Sequence, residues 1–303
     1  MKFTQNKVKF LLLPILVIVA GIVMFVVNSF MNGGAKGGFN YDTEFVGGMR
    51  MQVNVGKEFD NEEIRKLVID TCGEVAAPVV QKVDDGTKAS IKMSELDNEK
   101  KASLETTIKQ KYGDKSIMSL TSASASFGDS VQRKALIFTL IAILCILAYI
   151  AIRFELKSAV MAVIALAINV LVMMSVYAIT YMPLNTTFIA AMLTVVGYSI
   201  NNTIVVFDRI RENMRGFNGR NGKTVADVVN QSISESMGRT INTTVTTLIT
   251  IVLLYFLGVN SIKDFAFPLI VGVIAGAYTS IFIASPFWAS WKQAEIDEKN
   301  QKK

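Results

Sequence analysis

The 303-residue chain contains no histidine, two cysteines, five prolines and only 18% charged residues. An ordinary soluble domain carries about 25% charge. Without histidine, Ser-His-Asp and Cys-His nucleophilic catalysis, HExxH metalloprotease chemistry and any His-based proton shuttle or zinc site are excluded. Two cysteines are too few for a metal-thiolate site or a disulfide framework. Cys72 lies in a polar stretch and Cys145 in an apolar one, which places them in different phases and keeps them from pairing. What the chain has in abundance is apolar: 51% hydrophobic residues and a mean hydropathy of +0.40. These proportions describe a membrane protein that is not a histidine-dependent hydrolase, with no cofactor or metal implied.

A bilayer core of roughly 30 Å needs about 20 apolar residues per helical span. Six runs free of Asp, Glu, Lys and Arg meet this: Phe10–Met31, Ala135–Ile152, Ala159–Tyr181, Leu184–Phe207, Ile241–Val259 and Phe265–Trp291. The first follows Lys2, Lys7 and Lys9, as a signal peptide would. Its 22 residues exceed an h-region of about 7 to 15, and no A-x-A site follows, so it reads as an uncleaved anchor. With the N-terminus in the cytoplasm, segments 1–9, 153–158, 208–240 and 292–303 are internal and carry fifteen Lys and Arg. The short outer loops, 182–183 and 260–264, carry only Lys263. The positive-inside rule therefore predicts six spans in the cytoplasmic (inner) membrane with both termini cytoplasmic. Arg133 and Lys134 run against the rule, but they end a long translocated segment, where it is weak.

Residues 32–134 form the one segment long enough for a water-exposed domain, between the 1–31 stub and first helix and the helices of 135–291, with a cytoplasmic loop at 208–240 and a tail at 292–303. Its pattern reads β-α-β-β-α-β. A strand over Met49–Val55 points Met51, Val53 and Val55 to one face; Asp60 caps a helix to Cys72, with Glu63 at the capping-box position. Runs at Pro78–Val83 and Ala89–Met93 flank the turn signal Asp84-Asp85-Gly86. Ser94 and Asp97 open a second helix ending at Gly113, and Ile117–Phe127 gives a last strand. This is the order of an α+β, ferredoxin-like split βαβ fold, here extracytoplasmic. The domain holds 15 basic and 16 acidic residues, so the net charge of +6 belongs to the cytoplasmic side, beside membrane lipids, and no nucleic-acid partner is implied.

Polarity enters the membrane in two places. The fourth run contains Gly197-Tyr198-Ser199-Ile200-Asn201-Asn202-Thr203, where Tyr198 and Asn202 share a face, as do Ser199 and Thr203. Such groups serve either as interhelical hydrogen-bond donors and acceptors or as the lining of a hydrated pathway, and spacing leaves both open. At the start of the fifth run, Arg239, Asn242, Thr243, Thr246, Thr247 and Thr250 recur at steps of three and four. Arg239 either snorkels to the interface or turns inward toward this stripe and the fourth span. Between them, Val225, Val228, Val229, Ile233 and Met237 predict an interfacial helix leading into span five. Gly272 and Gly276 form a G-x-x-x-G spacing that permits close helix packing, and Asn169 is a lone polar residue read as structural.

The string Gly197–Asn213, GYSINNTIVVFDRIREN, resembles the signature of the SecF family, including Asp208, Arg209, Arg211 and Glu212. Ser236-Met237-Gly238-Arg239-Thr240-Ile241-Asn242-Thr243 resembles the family's arginine motif, and Glu44-Phe45-Val46-Gly47-Gly48 its D-F-x-G-G motif. The resemblance implies an accessory subunit of the Sec preprotein export machinery, in the RND superfamily, rather than an enzyme. It implies pairing with SecD, association with the SecYEG channel and often YajC, preproteins as substrates, and coupling to a proton or sodium gradient. Asn202, Arg239, Tyr198, Asn201, Thr243 and Thr246 then become candidates for the ion pathway. Two positions depart from the family: Glu44 replaces an aspartate, and Asn202 stands where the family usually has the span-four aspartate held to carry the proton. An amide cannot titrate, and arginine cannot deprotonate in a protein. A different RND-type half-transporter would need a second large external domain, and a membrane enzyme would need intramembrane carboxylates; the runs contain neither.

Overall fold

The computed structural model describes residues 3–31, 37–74, 78–83, 86–123, 155–215, 217 and 224–301, with 133–134, 137–142, 144–145, 148–149 and 152. The chain divides into two compact units, Tyr41–Ile137 on one hand and Met1–Asn40 with Phe138–Lys303 on the other. In chain order the described elements are α1 (Lys7–Met31), β1 (Asn40–Tyr41), α2 (Thr43–Val46), β2 (Gly48–Asn54), α3 (Asn61–Cys72), β3 (Val79–Val83), β4 (Lys88–Met93), α4 (Asn98–Tyr112), β5 (Ile117–Ala123), α5 (Leu156–Thr180), β6 (Pro183–Leu184), α6 (Thr186–Arg215), α7 (Val225–Leu257), α8 (Asn260–Thr279), a π-helical turn (Ser280–Ala284) and α9 (Ser285–Gln301).

The polar unit has the β-α-β-β-α-β order read from its patterning. Its four strands lie in the order β3-β4-β2-β5, every neighbouring pair antiparallel. Alternation sends Met49, Met51, Val53 and Val55 inward, where they meet Ile64 and Val68 of α3 and Leu104 and Ile108 of α4. Each of these is at most 9% exposed, so period-two and period-3.6 stripes close on one another. Each helix stops at a glycine in the left-handed region, Gly73 (φ 86°) and Gly113 (φ 99°). The capping box expected at Glu63 does not form. Asp60 instead accepts from the Glu62 amide at 3.2 Å, and Glu63 reaches across to Lys111 at 2.9 Å. Asp97 caps α4 by position without a side-chain bond. Residues 84–85 and 124–127 of the expected turn and last strand lie outside the described residues.

Among the described residues, five helical segments are long and apolar enough to cross a membrane: Lys7–Met31, Leu156–Thr180, Thr186–Arg215, Val225–Leu257 and Ser261–Lys299. Of the expected second span, 135–152, residues 137–142, 144–145, 148–149 and 152 are described, and these are helical. Cys72 is buried and Cys145 exposed, both as free thiols.

Two elements differ from expectation. The interfacial helix and fifth span are one uninterrupted 33-residue helix, α7, about 50 Å long. Its apolar first turns do not lie in lipid: Val225, Val229 and Ile233 are fully buried against Phe207, Ile210 and Trp288. A capping box opens it, the Thr224 hydroxyl accepting from the Asp227 amide and the Asp227 carboxylate from the Thr224 amide. The sixth apolar run is also not one regular helix, since Ser280–Ala284 makes a π-helical turn between α8 and α9.

Candidate functional site

α6 and α7 run antiparallel, held at one end by Arg209, whose guanidinium donates to Glu235 at 2.6 Å and to Glu212 at 2.5 Å. Asn213 donates to Ser232 and Glu235, each at 2.9 Å. About three turns further along the seam, the Tyr198 hydroxyl lies 3.5 Å from that of Thr244. Tyr198 and Asn202 are one turn apart, and so are Thr244 and Thr240. The register therefore sets Asn202 and Thr240 at one level of the seam, between the Arg209–Glu235 and Tyr198–Thr244 pairs. Asn202 is 3% exposed and Thr240 2% exposed. The Asn202 amide nitrogen and the Thr240 hydroxyl have no hydrogen-bond partner among the described residues. Buried polar groups are paired in the great majority of cases, so two orphans at one level mark the seam as a polar locus rather than a packing contact.

The other face of α6 is different, because there the polar groups are saturated. Asn169 of α5, completely buried, donates to Ser199 at 2.5 Å and accepts from Thr279 at 2.7 Å. Thr203 and Ser280 share a 2.7 Å hydrogen bond, and Ser280 donates to the Gly276 carbonyl at 2.7 Å. The Ser285 hydroxyl also donates to the Ser280 carbonyl within the π turn, at 3.2 Å. α8 comes close enough for this because Gly272 and Gly276 face α6; a β-carbon on Gly276 would stand 3.0 Å from Ser199 Cβ. The two open readings thus apply to opposite faces of one helix: Ser199 and Thr203 bond across helices, whereas Asn202 faces an unpaired seam.

The predicted stripe on α7 does not turn inward. Arg239, Asn242, Thr243, Thr246 and Thr250 are exposed, while the face of α7 that meets α6 carries Ser236, Thr240 and Thr244. Arg239 and Asn202 are therefore not brought together, because a 100° step per residue separates Arg239 from Thr240. The stripe hydroxyls bond back to their own helix, Thr243 to the Arg239 carbonyl at 2.9 Å and Thr246 to that of Asn242 at 3.0 Å. Asn201 is likewise exposed, as are Asp208, Arg211 and Glu212. Thr240, Thr244, Thr279, Ser280 and Ser285 were missed in the sequence; the available signal was their small polar side chains at three- to five-residue steps within apolar runs.

In the polar unit, Glu44 sits in the single turn α2, capped by Asp42, whose carboxylate accepts from the Thr43 amide at 2.8 Å and pairs with Arg50 at 2.7 Å. Gly47 (φ 77°) and Gly48 (φ 106°) occupy left-handed backbone, and a β-carbon on Gly48 would stand 2.5 Å from the Met93 carbonyl oxygen. The two glycines are what lets the chain pass from this turn into β2.

A family model described as the C-terminal part of the protein export membrane proteins SecD and SecF matches residues 103–294. The protein translocase subunit SecF of Alicyclobacillus acidocaldarius is 35% identical over 295 residues, covering 95% of this chain and 91% of that protein. The protein translocase subunit SecDF of Bacillus subtilis is 34% identical over 97% of this chain but only 38% of its own length. The crystal structure of SecDF, a translocon-associated membrane protein from Thermus thermophilus, matches with a TM-score of 0.84 and 28% identity, over 96% of this chain and 38% of that one. The chain belongs to the SecD/SecF family of protein export membrane proteins.

Proposed function

We propose that this chain is the SecF half of a SecD–SecF pair, a non-enzymatic subunit that assists preprotein export across the cytoplasmic membrane beside SecYEG, and often YajC, at the expense of a proton or sodium gradient. In this reading 135–152 completes six spans, both termini are cytoplasmic, and the split βαβ unit is an extracytoplasmic ferredoxin-like domain. The observation that carries it is the exposed polar face of α7. Within a membrane-length helix, Arg239, Asn242, Thr243, Thr246 and Thr250 have no cover from the rest of this chain's described residues. Hydrocarbon penalises such a face, whereas a second subunit satisfies it. Fused SecDF relatives, of which this chain matches under two-fifths, hold enough additional chain to supply that subunit.

The arrangement also divides the labour. This chain contributes an amide, hydroxyls and a permanently charged guanidinium to the pathway, none of which exchanges protons near neutral pH. A titrating carboxylate would come from SecD, with Arg239 biasing its charge across the interface. The test is cysteine cross-linking with Cys72 and Cys145 replaced by serine: Thr250→Cys joins SecD under mild oxidation, and a cysteine at lipid-facing Leu16, 69% exposed, does not. Equal cross-linking at both sites, or none at Thr250, overturns the reading.

A further inference from the structure

At the charged end of the helical unit, α5, α6 and α9 enclose a cavity of about 260 Å³. Its floor is apolar: Phe207 and Trp288 stand edge to face at 6.0 Å, and Ile210 and Met214 continue the wall along α6. Its rim is cationic. Arg211 and Arg215, four residues apart on one face of α6, are joined there by Lys292 of α9. Glu155 is the one carboxylate lining it, already held by Lys292 at 3.2 Å, so two positive charges remain in excess.

The neighbouring arginine shows how unusual this is. Arg209 is bound by two carboxylates, whereas Arg211 and Arg215 make no hydrogen bond or ion pair among the described residues. Like charges at an i, i+4 spacing repel, so the helix holds them together at a cost unless an anion lies between them. Trp288 lines the same cavity. Its ring is 4% exposed, and its indole nitrogen is buried with no acceptor among the described residues. A buried indole N–H normally finds a partner.

We infer that this cavity binds the phosphodiester of an anionic phospholipid. The guanidinium forks of Arg211 and Arg215 suit a phosphate geometrically, and the Trp288 ring forms part of the apolar floor beneath them. The apolar floor lies where the uncharged run ending at Phe207 gives way to Asp208 and Arg209, the depth at which headgroups meet acyl chains. Basic pockets between transmembrane helices at the cytoplasmic side are the usual form of a headgroup site. Its volume admits a headgroup rather than an acyl chain.

The experiment uses the full chain in nanodiscs. Trp288 and Trp291 are the two tryptophans, so Trp291→Phe leaves Trp288 as the sole emitter beside the cavity. Acyl-brominated phosphatidylglycerol is expected to quench Trp288 at lower mole fraction than brominated phosphatidylcholine. In Arg211→Gln/Arg215→Gln that preference falls about tenfold or more, and in Arg211→Lys/Arg215→Lys most of it is retained. Equal quenching by the two lipids in the parent, or an unchanged preference in the glutamine pair, overturns the proposal. Inorganic phosphate that abolishes the preference at unchanged ionic strength supports the phosphate site and assigns its filling to a soluble anion. Sodium chloride that does the same at equal ionic strength shows mere surface charge and overturns it.

Discussion

Gly272 of α8 lies against Val195 of α6 so closely that a β-carbon on the glycine would overlap the valine methyls and stand 2.9 Å from Met173 Sδ. Val195 is branched at Cβ and cannot swing away, so the two helices would have to part. Gly272→Ala is expected to cost about 1 to 3 kcal/mol, seen as a lower thermal aggregation midpoint in detergent. Gly197→Ala, with nothing within 4 Å of the added carbon, should leave the midpoint unchanged or raise it slightly. Equal behaviour of the two variants would show that the α6–α8 seam is not tight.

The same seam depends on Asn169, which bonds Ser199 and Thr279 at once. Asn169→Leu removes both bonds and leaves two buried hydroxyls to find other partners. Interhelical hydrogen bonds in membranes average about 0.6 kcal/mol, so a loss of roughly 1 to 2 kcal/mol in the unfolding midpoint is expected. Ser280→Ala, which spares both Asn169 bonds, should cost less. The reverse order would make the π turn, and not Asn169, the centre of the network.

Five membrane-length helices and the β-α-β-β-α-β order were legible because burial writes periodicity directly into the chain, as Met49, Met51, Val53 and Val55 illustrate. Asn202 was legible as a polar residue in an apolar run. The inward or outward sense of α7 was not. Arg239 and Thr240 are adjacent and both polar, and only the partner helix decides which of them is covered. The π turn was equally hidden, since Ser280–Ala284 is as compatible with a regular helix as its neighbours are. The protein cover over the first turns of α7 escaped for a related reason: an apolar stripe has the same spacing whether lipid or Trp288 covers it.

Lys92 gives the polar unit a pH dependence. Burial pulls its pKa down from 10.5 to about 8, with Asp42 partly restoring it and Arg50 opposing it, while its ammonium donates to the Tyr41 carbonyl at 2.8 Å. Between pH 8 and 10.5 the unfolded chain therefore binds more protons than the folded one, and stability rises with pH across that window, by on the order of 1 to 3 kcal/mol. Below about pH 8 both forms are protonated and the cost is present in full. Hydrogen-exchange protection of the β2 and β4 amides in the full-length protein, corrected for intrinsic exchange, should climb through this range and be flat in Lys92→Met. A parallel climb in that variant would assign the effect to another group.

Arg239 stands exposed on the α7 face assigned to SecD. Arg239→Ala is expected to slow export in proteoliposomes without reducing co-purification of SecD, because one charge is lost from an interface held by a whole helix face. Arg239→Lys should restore part of the rate, since charge is kept but the planar fork is not. Full activity of the alanine variant would remove Arg239 from the coupling pathway, and loss of SecD from the complex would make it an assembly residue instead.

Asn202 poses the sharpest question about coupling, since it shares a level with Thr240, and its amide nitrogen and the Thr240 hydroxyl lack a partner among the described residues. Asn202→Asp changes an amide nitrogen to an oxygen at constant shape, so the α6–α7 seam should still form and the variant should purify with an unchanged elution profile. What changes is chemistry: the Asn202–Thr240 level of the seam acquires a carboxyl group that can take up and release a proton, where the parent has an amide and a hydroxyl. If the parent relies on a carboxylate of SecD, the variant adds a second carrier, and export should depend more steeply on the proton gradient at a fixed driving force. Removing the SecD carboxylate should then abolish gradient-driven export in the parent and leave part of it in the variant. Identical gradient dependence in parent and variant would mean that protons do not pass between α6 and α7, and that the orphaned amide serves the partner's helix instead.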